Sequence, residues 1–226
     1  MKRLGFNHTI YASYIAYIVQ ALVNNFTPLL FVTFSLTYGI TLDKIGLIVS
    51  INFIFQLIVD FIAAKVVDKI GYRASMLSAH ISAGFGFILL AFLPEIIDPY
   101  TAILISTLFT AMGGGLIEVT VSPVVEATPS TNAKEAAMSL LHSFYCWGQL
   151  FTILVSTLFF VLFGIENWRI MSLLWAIIPL TNSIYCVFIP IKQLTEKGKA
   201  LSVKNFFQTS ISGCFCLLWS AQGQRN

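Results

Sequence analysis

The chain has 226 residues, of which 57% are hydrophobic and 10% charged, and its formal net charge is +3. Soluble domains carry roughly 25% charged residues. This composition, with 20 Phe and a mean hydropathy of +0.83, therefore excludes a soluble globular domain and predicts an all-α integral membrane protein.

A helix that crosses a bilayer needs ~20 mostly apolar residues. Six stretches meet that length. They run from Thr9 to Leu36, Ile45 to Val67, Ala74 to Leu93, Tyr100 to Val125, Ala136 to Phe163, and Trp168 to Ile189. Turn-formers separate them: Pro94 and Pro99 bracket an acidic loop, Pro129-Ser130-Thr131-Asn132 forms a cluster, and Pro190 closes the sixth stretch. Lys2-Arg3 precedes an apolar run, as in a secretory leader. That run is too long, and no small-residue cleavage site interrupts it, so it is read as a retained first span.

Basic residues set the expected orientation. With the N-terminus in the cytoplasm, Lys2, Arg3, Lys65, Lys69, Arg73, Lys134, Lys192, Lys197, Lys199 and Lys204 fall inside, and Lys44 and Arg169 fall outside. This asymmetry supports both the six-span count and a multi-pass protein of the plasma membrane. It also gives the positive charges a reason that needs no nucleic acid.

Soluble-enzyme chemistry finds no support. The cysteines Cys146, Cys186, Cys214 and Cys216 form no CxxC pair, and His8, His80 and His142 do not cluster. The sequence therefore predicts no metal site, disulfide framework or cofactor. No phosphate-binding loop or nucleophile triad is spaced to work.

The polar residues inside the spans are the candidates for function, because a polar or charged group in lipid is costly unless it faces protein or water. Glu118 follows Gly113-Gly114-Gly115 in the fourth span, and the glycines let other backbones approach closely. In the first span Gln20, Asn24 and Asn25 lie just before Pro28. In the fifth, His142, Tyr145 and Gln149 offer hydrogen bonds; His142 and Tyr145 fall on nearly one helical face and Trp147 on another. In the second span Gln56, Asp60, Ala64 and Asp68 recur every four residues and share one face.

Between the second and third spans, Ala64-Lys65-Val66-Val67-Asp68-Lys69-Ile70-Gly71-Tyr72-Arg73 resembles the cytoplasmic loop motif of the major facilitator superfamily, Gly-x3-Asp-Arg/Lys-x-Gly-x-Arg/Lys. Asp68, Lys69, Gly71 and Arg73 match in place, and Ala64 replaces the first Gly. Gly71 allows a tight turn, and Asp68 can meet Arg73 or a helix N-terminus. The resemblance implies the N-terminal six-span half of a twelve-span carrier, with the Asp60, Ala64 and Asp68 face turned to the second half as a gate. Glu118 with Ser122-Pro123, and Phe144 with Gly148, are similar to segments of the fucose permease branch, where the matching Glu is implicated in proton coupling and sugar binding. Ser122 stands where Asn is usual there, His142 where Gln is usual, and Asn25 where an acid is common.

Three segments are expected: a bundle over 1–190, a basic cytoplasmic linker over 191–205, and an aborted seventh span over 206–226. Read back one base from Gly213 onward, synonymous codons can encode a further apolar stretch. A frameshifted, truncated gene with a missing C-terminal half is therefore the expectation. The expected function is secondary active transport of a small polar solute, a sugar, coupled to protons across the bilayer. Glu118, Asn24, Asn25, Gln20, His142 and Tyr145 are the expected coupling and substrate residues. The alternatives are an orphan membrane fragment, or a six-span scaffold that pairs through the Asp60 face.

Overall fold

A computed structural model describes residues 4–129 and 134–191. The expected linker beyond Ile191 and the expected seventh-span segment lie outside the described residues. Among those described, the regular structure is helical, and six helical stretches are long and apolar enough to cross a membrane.

The first span is α1 (Phe6–Leu29) continued by the short α2 (Phe31–Tyr38). The break follows from Pro28. It lacks the N–H that would reach the Asn24 carbonyl, and its ring crowds that turn. The Leu30 amide instead bonds to Thr27 O at 3.0 Å. The second span is α3 (Leu42–Ile70), with Asp43 in its first turn and Lys69 in its last, charges that suit the helix dipole. Gly71, at φ +90°, reverses the chain directly into α4 (Tyr72–Phe92). A side chain is strained in that conformation, so the loop motif needs this glycine. A 3-10 turn over Leu93–Glu95 leads to α5 (Pro99–Glu126), the fourth span. Its cap is Asp98, whose carboxylate accepts from the Thr101 amide at 2.9 Å and hydroxyl at 2.8 Å. The fifth span is α6 (Lys134–Phe163) and the sixth is α7 (Trp168–Phe188).

Expected and observed boundaries agree closely, with one lesson. α3 is longer at both ends than its apolar stretch, because Leu42-Asp43-Lys44 and Asp68-Lys69-Ile70 continue the helix past the lipid-facing residues.

α4 packs mainly on α5 and α7, α1 on α6 and α5, and α3 on α5. Small residues set these approaches. A Cβ on Gly113 would lie 2.8 Å from Ala79 O of α4, and one on Gly148 would lie 2.9 Å from Ala21 Cβ and 3.0 Å from Ile18 Cα of α1. Neither gap admits even a methyl group without displacement. Coverage is uneven. In the most apolar parts of α3 and α6, 22% and 17% of residues are buried, against 44% to 56% in the other spans.

Behind α1, polar groups tie α1, α4 and α7 together. His80 and Asn182 are 0% and 2% exposed. His80 Nδ1 lies 2.7 Å from Met76 O, so that nitrogen carries the hydrogen and donates. His80 Nε2 then accepts from Asn182 Nδ2 at 2.8 Å, and the same amide reaches Ala12 O at 3.1 Å. Ser172 donates to Phe87 O at 2.8 Å, and Trp175 Nε1 to Ser156 Oγ at 3.0 Å. Such groups would be costly in lipid without partners.

Candidate functional site

α1 presents Tyr17, Gln20 and Asn24 at i, i+3 and i+7, which is one helical face. Each reaches a different position on a neighbouring span. Tyr17 OH and Ser122 Oγ of α5 share a hydrogen bond of 2.8 Å. Gln20 Nε2 donates to Glu118 Oε2 at 2.5 Å. Asn24 Nδ2 donates to Tyr145 OH of α6 at 3.2 Å. The result is a polar seam along α1 that meets α5 on one side and α6 on the other.

Local packing explains the seam. Gly148 brings α6 against Ile18 and Ala21 of α1, and Phe144 stacks on Tyr14 with centroids 4.5 Å apart. With α6 held there, Tyr145 faces Asn24. His142 turns its ring edge to Tyr17, with centroids 5.5 Å apart and planes at 75°. Trp147 points elsewhere and is 67% exposed. Gln149 is half-buried.

Glu118 lies at the open side of the seam. Gln20 beside it is 5% exposed, yet Glu118 itself is exposed. The glycine triplet lets α5 close on α4, α3 and α1, with Gly114 lying against Val23 of α1 as well as Gln56 of α3, and Gln20 is the partner that reaches the Glu118 carboxylate. The acid is thus anchored at one oxygen and accessible. Asn25 is half-buried and donates to the carbonyl of Ala21, one turn back on its own helix, at 2.8 Å. It is not joined to the Glu118 seam by a hydrogen bond.

A cavity of about 40 Å³ opens beside the seam toward α2, lined by residues of α1, α2, α3 and α5 that include Asn24, Thr27, Asn52 and Thr107. Asn24 Oδ1 and Thr107 Oγ1 are buried there without a hydrogen-bond partner.

The loop-motif residues gather at the other end of the bundle. Asp68 accepts from Tyr72 OH at 3.2 Å. Arg73 takes a role that its sequence position could not disclose. Its guanidinium donates to the carbonyls of Cys186, Val187 and Ile189 at 3.0, 2.6 and 2.7 Å, so it caps the C-terminus of α7. Orphan carbonyls and the negative end of a helix dipole favour a cation there. Ala64 and Lys69 are exposed. Asp60, expected on a gate face, leans on α5: a Cβ on Gly115 would meet its Oδ1 at 2.7 Å.

Sequence reasoning missed Tyr17. Its signal was the i, i+3, i+7 spacing with Gln20 and Asn24, which looks like ordinary aromatic packing until Ser122 is placed opposite.

Comparison with known proteins gives one finding. The family model described as Major Facilitator Superfamily matches residues 13–222. No curated protein matches the chain.

Proposed function

The chain belongs to the major facilitator superfamily of membrane transporters, and on that premise we propose that it carries a small polar solute, a sugar, by proton-linked alternating access in the manner of the fucose permease branch. The observation that carries this reading is the exposed Glu118 carboxylate held by Gln20, in line with Tyr17–Ser122 and Asn24–Tyr145. An accessible acid among hydroxyl, amide and phenol groups suits a solute with several hydroxyls. It can also take up and release a proton as that solute comes and goes. Glu118 is the coupling group in this reading, and Gln20, Asn24, Tyr145 and His142 bind the sugar. Asn25 serves the helix at the Pro28 break.

Alternating access in this family rocks two six-span halves around a midplane site. The sparsely covered faces of α3 and α6 are where a second half seats in this reading, with the N-terminus and the Gly71 turn in the cytoplasm of a plasma-membrane protein. The face of α3 that carries Ala64 then gates the contact, and the Asp68 to Arg73 turn holds one end of it closed. A six-span scaffold whose copies pair through α3 uses the same faces. Cysteine cross-linking on α3 separates the two, since only the scaffold links copy to copy.

The test is binding and transport of a sugar panel, with counterflow and proton-driven accumulation measured separately, by the chain and by a twelve-span version that carries it. Saturable sugar binding lost on Gln20→Ala, with driven accumulation alone lost on Glu118→Gln, supports the reading. No binding and no transport of any sugar by either form overturns it.

A further inference from the structure

The joint between α1 and α2 leaves polar groups that the helix itself does not serve. Pro28 offers no amide to the Asn24 carbonyl, and the Leu30 amide turns back to Thr27 O at 3.0 Å. Beside the joint lies the cavity of about 40 Å³, where Asn24 and Thr27 of α1 face Asn52 of α3 and Thr107 and Thr110 of α5. Thr110 turns its hydroxyl to Thr107 O at 3.0 Å. Asn24 Oδ1 and Thr107 Oγ1 are buried without a partner, and Thr107 as a whole is 5% exposed.

Size and lining decide what can sit there. Among the described residues the cavity wall carries no charged side chain, so nothing in it balances an ion. The space is too small for a sugar ring. A lipid chain would suit the apolar part of the wall, Val23, Ile48 and Phe53. It would leave Asn24 Oδ1 and Thr107 Oγ1 unserved, and buried polar groups are nearly always served. Water meets both demands. One water takes roughly 10–15 Å³ of such space and two to four polar partners, so a cavity of 40 Å³ holds about three. Asn24 Oδ1 accepts hydrogen bonds, and the Thr107 hydroxyl donates and accepts. Ordered water is also among the groups that restore hydrogen bonding where proline breaks a membrane helix.

We propose that this cavity binds a small cluster of ordered water, and that the cluster holds the Asn24 side chain in the orientation the seam uses. Asn24 belongs to both places. Its Nδ2 donates to Tyr145 OH at 3.2 Å in the seam, and its Oδ1 accepts from the water on the other side. An amide bonded at both ends has one way to face. Without the water, Oδ1 gains nothing by pointing into the cavity, and the amide is free to turn away from Tyr145. Thr107 anchors the cluster from α5 and touches no seam residue through a hydrogen bond of its own. The water site stands with or without a solute; the role given to Asn24 rests on the carrier reading.

X-ray hydroxyl-radical footprinting of the purified chain in lipid nanodiscs tests the site, because the radicals form from water where it sits and oxidise the side chains it touches. Val23 and Ile48 line the cavity and are 3% and 1% exposed. Phe87 and Leu90, at 0% and 1% exposed on α4, are the buried references. The expected result is rapid oxidation of Val23 and Ile48, with Phe87 and Leu90 left intact. Thr107→Val keeps the shape, removes the hydroxyl and lowers that oxidation severalfold. Val49→Phe fills the cavity and brings it down to the Leu90 level. Should Val49→Phe lose helicity, Thr107→Val decides alone. Oxidation of Val23 and Ile48 no faster than that of Leu90 in the wild type, or unchanged in a helical Thr107→Val, overturns the water site. A sugar panel in the same nanodiscs tests the role of Asn24. Severalfold weaker sugar binding in a helical Thr107→Val supports it, and wild-type sugar affinity in a Thr107→Val that has lost the water overturns it. No sugar binding by the wild type, with Val23 and Ile48 rapidly oxidised, sinks the carrier reading and leaves the water site; saturable sugar binding with both residues left intact does the reverse.

Discussion

The α1–α4–α7 interior and the α1–α5–α6 seam are built from the same residue types and treat them differently. Behind α1, His80 and Asn182 are sealed from solvent and bonded to each other and to main-chain carbonyls. In front, Glu118 is exposed, Asn24 holds one partner with one oxygen unserved, and Gln56 and Asp60 keep unpartnered acceptors. A polar network that closes on itself fixes helices. One left open has capacity for something that comes and goes. Polarity inside a span therefore does not mark the site; incomplete satisfaction does. Asn182 Oδ1 is the interior's own unserved atom, and it lies where nothing is exposed.

The comparison can be broken most forcefully at Arg73. Arg73→Ala removes three charge-assisted hydrogen bonds to the end of α7 and is expected to cost about 3 kcal/mol. Thermal unfolding in detergent should fall, with little change in solute affinity for the fraction that stays folded. Asn182→Leu should cost about 2 kcal/mol by leaving His80 Nε2 buried and unserved. It too should spare solute binding, and a large loss of affinity at unchanged stability would mean that the interior belongs to the site.

Gly148→Ala sharpens the contrast from the other side. Its methyl would press on Ala21 and Ile18 at a cost of about 1 kcal/mol. By moving α6 off α1 it parts Tyr145 from Asn24 and His142 from Tyr17, so affinity should fall by more than stability does. Asp98→Ala gives the smallest effect, since it touches neither region. The Thr101 amide and hydroxyl hold the Asp98 carboxyl below the usual carboxylate range. Its cap therefore stabilises above that usual range and is lost as pH falls through the lowered value. The small gap in Tm between wild type and Asp98→Ala should be present at neutral pH and close in acid.

Much of the fold was legible because lipid enforces a simple rule: about 20 apolar residues make a span, and Gly71 and Pro99 mark breaks by their backbone chemistry alone. Glu118 was legible for the same reason, as an acid where acids are costly. What could not be read depends on contacts distant in sequence. Arg73 meets carbonyls 113 to 116 residues away. Asp60 looked like one of a row of residues on a gate face, and its lean onto α5 exists because Gly115 has no side chain to hold it off. The exposure of Glu118 likewise follows from how α1 and α5 approach, which no single span encodes.

The most direct test of the seam as a proton-linked carrier site is Glu118→Gln, with solute counterflow and proton-driven accumulation measured side by side in the twelve-span version. Glutamine keeps the shape and can still bond Gln20, but it cannot exchange a proton. Counterflow should persist while driven accumulation disappears. Driven accumulation at the wild-type level in Glu118→Gln would contradict the account.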